Sequence, residues 1–288
     1  MSPQKPSVHL RWRKTVNLVM LSLTGLCTLF TVSILLLILG YLVWNGGRSL
    51  SWEFFTQLPK SPGEAGGGMA HAIIGTAQLI GIAAAIGLPI GFITGVYLAE
   101  FGGTTFPFVI RYTADLLNGV PSIVIGIFAY IVIVLPVKHF SAWAGGFALS
   151  LMLIPIVVRA TEQFLRSVPL SLREGSMALG GSKWRTVVSV VIPASIRGIA
   201  TGMILGVARI AGETAPLLFT SFGNNFWSSS LNQPTASLPV MIFNYAISPY
   251  DDWHRQAWAA GLVLLGLVLT ANIATRLILL RGSATQRG

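Results

Sequence analysis

At 288 residues, 53% hydrophobic and only 10% charged, with a mean hydropathy of +0.72, the chain has the composition of a polytopic membrane protein rather than a soluble domain. Its formal net charge of +10 at pH 7 could suggest nucleic acid, but the basic residues sit in short connections between apolar runs, so the charge reads as a topology signal. The single cysteine, Cys27, lies in an apolar run, cannot form an intrachain disulfide, and reads as a packing residue.

Residues 1–15 are polar and basic, with Lys5, Arg11, Arg13 and Lys14. Val16 to Trp44 is apolar and uncharged, too long for a signal-peptide core, and predicts an uncleaved first transmembrane span. Asn45 to Ala70 is a loop in which Trp52, Phe54 and Phe55 are expected along the membrane surface. The second span covers about 72–98, kinked at Pro89, with Gly87, Gly91 and Gly95 forming a small-residue seam that admits another helix closely. Glu100 to Arg111 reads as a short loop. The third span, about 116–137, opens on Asn118-Gly119-Val120-Pro121-Ser122, a bend at the membrane edge, and the fourth covers about 143–158. After a long loop, 159–195, the fifth span runs over about 196–220 with a second seam at Gly198, Gly202 and Gly206. A loop at 221–255 carries Leu238 to Ile247, long enough to dip into the interface but too short to cross. The sixth span covers about 257–280, and 281–288 is a polar tail.

Residues 16–280 thus form a single transmembrane domain, with both termini on one side. Fourteen of the nineteen Lys and Arg residues fall on that side and four on the other, with Arg209 inside a span. The positive-inside rule places the termini and the 159–195 loop in the cytoplasm.

Within that loop, Val168 to Pro193 predicts two short helices around Gly180-Gly181. Pro169 suits the start of the first and Ser182 caps the second. A hairpin needs only a few residues, so a structured loop of this length implies that something docks there. The second charged constellation is Arg209 to Glu213, four residues apart and expected on one helix face deep in the fifth span. A charge at that depth costs about 2.5–3.5 kcal/mol on insertion scales, which pairing offsets in part and which points to a polar cavity. Arg209 would offer positive potential to a passing anion, and Glu213 would hold it in place. Gly212 and Pro216 weaken the helix there, as suits backbone lining a cavity. No G-x-x-x-x-G-K-[ST] loop for ATP occurs, the four histidines are scattered, and Asp251-Asp252 reads as a solvated turn.

Glu174-Gly175-Ser176, Gly180 and Val190-Val191-Ile192-Pro193 resemble the "EAA" cytoplasmic loop of ABC-importer permeases. Gly175 and Ser176 replace two alanines, and Val190 and Ile192 replace Ile and Leu. The segment Gly212 to Thr220 (GETAPLLFT), together with Asp115 to Gly126, is similar to permeases of phosphate-specific ABC importers of the PstA type. The resemblance implies an all-α, six-span, type I importer permease (MetI-like) fold in a bacterial inner membrane. It implies an ATPase-coupling loop with Arg173, Glu174, Gly175, Ser176, Gly180 and Pro193, and a phosphate path at Arg209 and Glu213. It also implies a PstC-type second permease, two ATPase subunits holding ATP and magnesium, and a periplasmic phosphate-binding protein. The chain itself would bind no cofactor or metal and catalyse no covalent step. The rivals are a permease for sulfate, molybdate or phosphonate, and a secondary anion transporter or channel acting alone. The latter would show inverted repeats and have no need of a docking loop.

Overall fold

The computed structural model describes residues 8–64, 66–103 and 105–284; Lys5 and Arg287 lie outside them. Helix α1, Val8–Ser49, is 42 residues long and exposed along nearly all its length. It joins the bundle only near its end. Tyr41 meets Trp258 edge-on at 5.1 Å between ring centroids, and a Cβ on Gly46 would lie 2.7 Å from the Trp258 carbonyl. Cys27 is exposed on this helix, so the expected packing role within the chain is not realised. After the short α2, Trp52–Thr56, capped by Ser51, the loop splits its aromatics. Trp52 is 81% exposed and Phe54 only 1%, because Phe54 turns inward against Met69, Leu238 and Met241 rather than lying on the membrane surface.

The centre of the bundle is α3, Ala70–Glu100, packed parallel to α7, Ala142–Arg166. Their contact is the predicted glycine seam. A Cβ on Gly87 would meet Leu153 at 3.0 Å, one on Gly91 would meet Val157 at 2.6 Å, and one on Gly95 would meet Thr161 at 2.6 Å. Bare backbone at these positions lets the axes approach as small residues do in membranes.

Between α3 and α7, Glu100 to Arg111 is not the expected loop throughout: the chain is helical from Thr105, in α4, Thr105–Gly119. A 105° bend follows, then α5, Ser122–Ala129, a π turn at Tyr130–Val134, and α6, Leu135–Val137. The bend falls at Val120-Pro121, where proline lacks an N–H and pushes its predecessor out of helical geometry.

Beyond α7 come α8, Leu170–Ala178, and α9, Lys183–Thr186, which continues through a π turn at Val187–Val191 into α10, Ile192–Ala211. The second helix of the loop is therefore not short, and the fifth span begins well before residue 196. Helix α10 runs antiparallel to α7, with a Cβ on Gly202 falling 2.5 Å from Ala160 and one on Gly206 falling 2.9 Å from Leu153. Short α11, Ala215–Thr220, lies on α5 at Gly126, and α12, Leu238–Ala246, packs under the start of α13, Asp251–Ala284. Helix α12 is buried on one side by Leu238, Val240 and Met241 and leaves Phe243 exposed on the other, and burial beside Asp252 pushes the Tyr245 hydroxyl up to about 12. Asp251 and Asp252 are not a free turn but open α13. Asp252 accepts from the Gly66 amide at 3.0 Å and so pins the 45–70 loop.

Five helices are long and apolar enough to cross a membrane, and six spans result when the bent α4–α6 segment counts as one. The fold is all-α and polytopic.

Candidate functional site

The loop between α7 and α10 is built as a handle. Pro169 supplies the extended residue before α8, and the helix ends at Gly180, which takes φ +86°, a conformation glycine adopts without a Cβ penalty. Ser182 caps the next helix by accepting from the Arg185 amide at 3.3 Å. The two arms are joined by a hydrogen bond between the Ser176 and Thr186 hydroxyls at 2.9 Å. Leu170 is 71% and Leu179 91% exposed, so the turn presents apolar side chains outward. A concave surface of about 500 Å³ is lined here by Ser171, Gly175, Ser176, Gly180 and Arg185. Glu174 and Gly175 are exposed beside it.

Arg173 does something different from its neighbours. Its guanidinium turns into the bundle, pairing with Glu100 at 2.5 Å and donating to the Leu165 carbonyl at 2.9 Å, with the two side chains 16% and 5% exposed. Lys183 adds a bond from Nζ to the Glu100 carbonyl at 3.0 Å and lies 4.5 Å from the centroid of the Phe101 ring. The end of α3 is thus strapped to both arms of the handle. Pro193 is exposed on the first turn of α10, after the π turn.

Arg209 and Glu213 lie at the far end of this construction. From Lys183 to Ala211 the chain is one continuous helical rod of 29 residues with a π turn at Val187–Val191, about 44 Å at 1.5 Å per residue. Gly212 terminates it, with φ −95° and ψ 0°, so Glu213 is not one turn further along the same face. Arg209 is exposed, Glu213 is half-buried past the helix end, and no ion pair joins them among the described residues. The expected four-residue pairing fails because the helix stops between them.

A charged cluster that the sequence reading passed over surrounds Glu162 on α7. Its side chain is 5% exposed and takes Arg111 from α4 at 2.5 Å, Arg166 at 3.0 Å and Arg159 at 3.1 Å. Arg159 also pairs with Asp115 at 2.9 Å, and Arg111 donates to the Leu98 carbonyl at 2.9 Å. Arg111, Arg159, Glu162, Gln163 and Arg166 line a cavity of about 480 Å³. The signal was present: Arg159, Glu162 and Arg166 are spaced three and four apart on an apolar helix. Arg111 could not be placed with them while its segment was read as a loop.

Comparison with known proteins follows the same outline. Residues 87–281 match the family model described as "Binding-protein-dependent transport system inner membrane component". The phosphate transport system permease protein PstA of Yersinia pestis is 46% identical over 93% of this chain and 91% of its own length. The protein of the same name from Haemophilus influenzae is 46% identical over 92% of this chain and 94% of its own. Among solved structures, the inward-facing MetNI methionine ABC transporter superposes with a TM-score of 0.58 at 16% identity, over 73% of this chain and 95% of that one. An amino acid ABC transporter with histidines gives 0.57 at 16%, over 73% and 92%. These two likenesses establish a shared fold and nothing about cargo.

Proposed function

The chain belongs to the family of binding-protein-dependent transport system inner membrane components, and from that premise we propose that it is the phosphate-conducting permease subunit of an ATP-driven importer. The observation that carries the cargo is the identity, near half over nine-tenths of the chain, to permeases named for phosphate transport. The handle at 168–193 supports the drive: a protruding, apolar-tipped helix pair suits a groove on an ATPase, and ATP and magnesium belong to that partner. A PstC-type permease completes the transmembrane pair. A periplasmic phosphate-binding protein meets the face formed by the 45–70 and 221–256 loops. Both termini and the handle lie in the cytoplasm by the distribution of Lys and Arg.

The mechanism is alternating access. Nucleotide binds the two arrangements of the complex differently, and only that difference can shift their populations. Closure of the ATPases moves α8, and the strap through Arg173, Lys183 and Glu100 carries the movement to α3. The continuous helical rod from Lys183 to Ala211 carries it to Arg209, which offers its exposed guanidinium to the anion. Glu213, beyond the helix end, keeps the empty path near neutral. This chain holds and releases; it makes and breaks no covalent bond.

The test is ATP-dependent uptake of labelled phosphate into vesicles holding the full complex, with and without this chain, competed by sulfate. Uptake that requires the chain and resists sulfate supports the assignment. Uptake that sulfate abolishes transfers it to the other oxyanion permeases. Uptake needing no ATPase would make the protein a carrier acting alone.

A further inference from the structure

We propose that Arg159 and Arg166, held by Glu162, form a second tetrahedral-oxyanion site at the cytoplasmic end of the path, where phosphate pauses before release; the proposal rests on the phosphate-permease reading above. Three guanidinium groups face the carboxylates of Glu162 and Asp115, so one positive charge remains uncompensated around a cavity of about 480 Å³. Arg111 is occupied by Glu162 and by carbonyls of the α3 end, and serves as a fixed prop. Arg159 is 42% exposed with Nε and one terminal nitrogen engaged, and Arg166 is 50% exposed with one terminal nitrogen engaged. Each keeps donors for a ligand, and planar forks of this kind suit tetrahedral oxyanions. Glu162 pre-orients both arginines and, being fixed, cannot follow the ligand out.

Position makes the site part of the route. Val157 and Thr161 turn toward α3, so on the helical period Arg159 occupies the opposite side of α7. On α10, Ile204, Val207 and Ala208 look toward α3 and α13, so Arg209 again occupies the opposite side. Arg159 thus points away from α3 and Arg209 lies on the side of α10 that Gly202 turns to α7, while Arg166 reaches the Leu98 carbonyl at the end of α3 at 3.3 Å. Since Gly202 lies on Ala160 and the helices are antiparallel, Arg209 stands six residues, about 9 Å, above the level of Arg159, and Arg166 seven residues, about 10 Å, below it. Arg209, Arg159 and Arg166 thus follow one another in height toward the handle. Arg166 lies four residues before α8, and Arg173 of α8 grips the Leu165 carbonyl beside it, so the movement that works the handle also shifts the site.

The experiment uses the complete complex in vesicles, with inorganic phosphate on the side that the handle faces. In the wild type that phosphate slows uptake by occupying the site. The Arg159→Gln, Arg166→Gln double variant should need on the order of tenfold more phosphate for the same inhibition, the loss expected of a charge-assisted contact to a half-exposed group. Arg159→Lys, Arg166→Lys should retain most of the sensitivity, which separates charge from folding. Arg209→Gln is run alongside. If Arg209→Gln is defective and the double variant behaves as wild type, the second site is wrong and the permease reading stands. If both behave as wild type, the path itself is wrong. Vesicles with and without anionic lipid form the last arm. If the double variant differs from wild type only where anionic lipid is present, the ligand is a lipid headgroup and the proposal falls.

Discussion

Glu100→Gln tests whether the handle drives α3. The substitution keeps the shape of the side chain and removes the charge that Arg173 meets at 2.5 Å in a pocket where the two are 16% and 5% exposed. Removing one partner of a buried pair costs roughly 3–5 kcal/mol, because the other charge is left stranded. Arg173 keeps the Leu165 carbonyl and Lys183 keeps the Glu100 carbonyl, and Arg173 can relax toward water, so the low end applies, about 3 kcal/mol. That shifts the balance between a seated and an unseated α8 by roughly 150-fold. Two readouts follow. Amides of α8 should exchange with solvent much faster, and phosphate moved per ATP hydrolysed should fall while the ATPases still co-purify. Arg173→Gln in the same background should add little, since the pair is already broken. Wild-type exchange together with wild-type phosphate per ATP in Glu100→Gln would refute the strap.

Other expectations concern the same parts. Gly175→Ala should leave transport intact and raise the stability of α8 by up to about 1 kcal/mol in thermal unfolding, since a Cβ there meets nothing within 4 Å. Gly180→Ala should loosen the handle by about 1–2 kcal/mol, read as weaker co-purification of the ATPases, because φ +86° is left-handed. Gly91→Ala should destabilise the detergent-purified chain by about 1–3 kcal/mol where Gly81→Ala on the same helix does not; the first Cβ meets Val157 at 2.6 Å and the second meets nothing. Arg209→Gln should cut phosphate uptake by at least tenfold, about 1.4 kcal/mol, with assembly unchanged, as measured by labelled uptake.

Much of the architecture could be read from hydropathy because a span must satisfy its own backbone, and only long apolar helices do so. The two glycine seams, the bend at Pro121, the turn at Gly180 and the Ser182 cap are local chemistry and were legible for that reason. What escaped depends on partners distant in sequence. Arg173 looked like a docking residue until Glu100, seventy-three positions away, was beside it. The cluster around Glu162 needs Arg111, fifty-one positions away, on a helix whose start the polarity of 100–111 disguises as a loop. The error at Glu213 is different in kind. A four-residue spacing implies a shared face only if the helix persists, and Gly212 ends it between the two charges.

The placement of the charges decides how such a chain can work. Rigid helices transmit displacement, but a bundle held only by apolar packing and small-residue seams can slide. Here the charged contacts stand where sliding would waste the stroke: Glu100 locks α3 to the handle, and Glu162 with Arg111 locks α7 to α4. Arg209 is left without a partner of its own among the ion pairs of the described residues. A paired arginine is a strut, and an unpaired one at membrane depth is costly unless an anion or a watery gap meets it. The chain therefore sorts its arginines by duty. Arg111 and Arg173, on the α3–α4–α7–α8 joints, are mostly buried with their charges met and bear load, whereas Arg159 and Arg166 keep donors free beside Glu162 and Arg209 has no carboxylate of its own among the described ion pairs, as the proposed phosphate path requires.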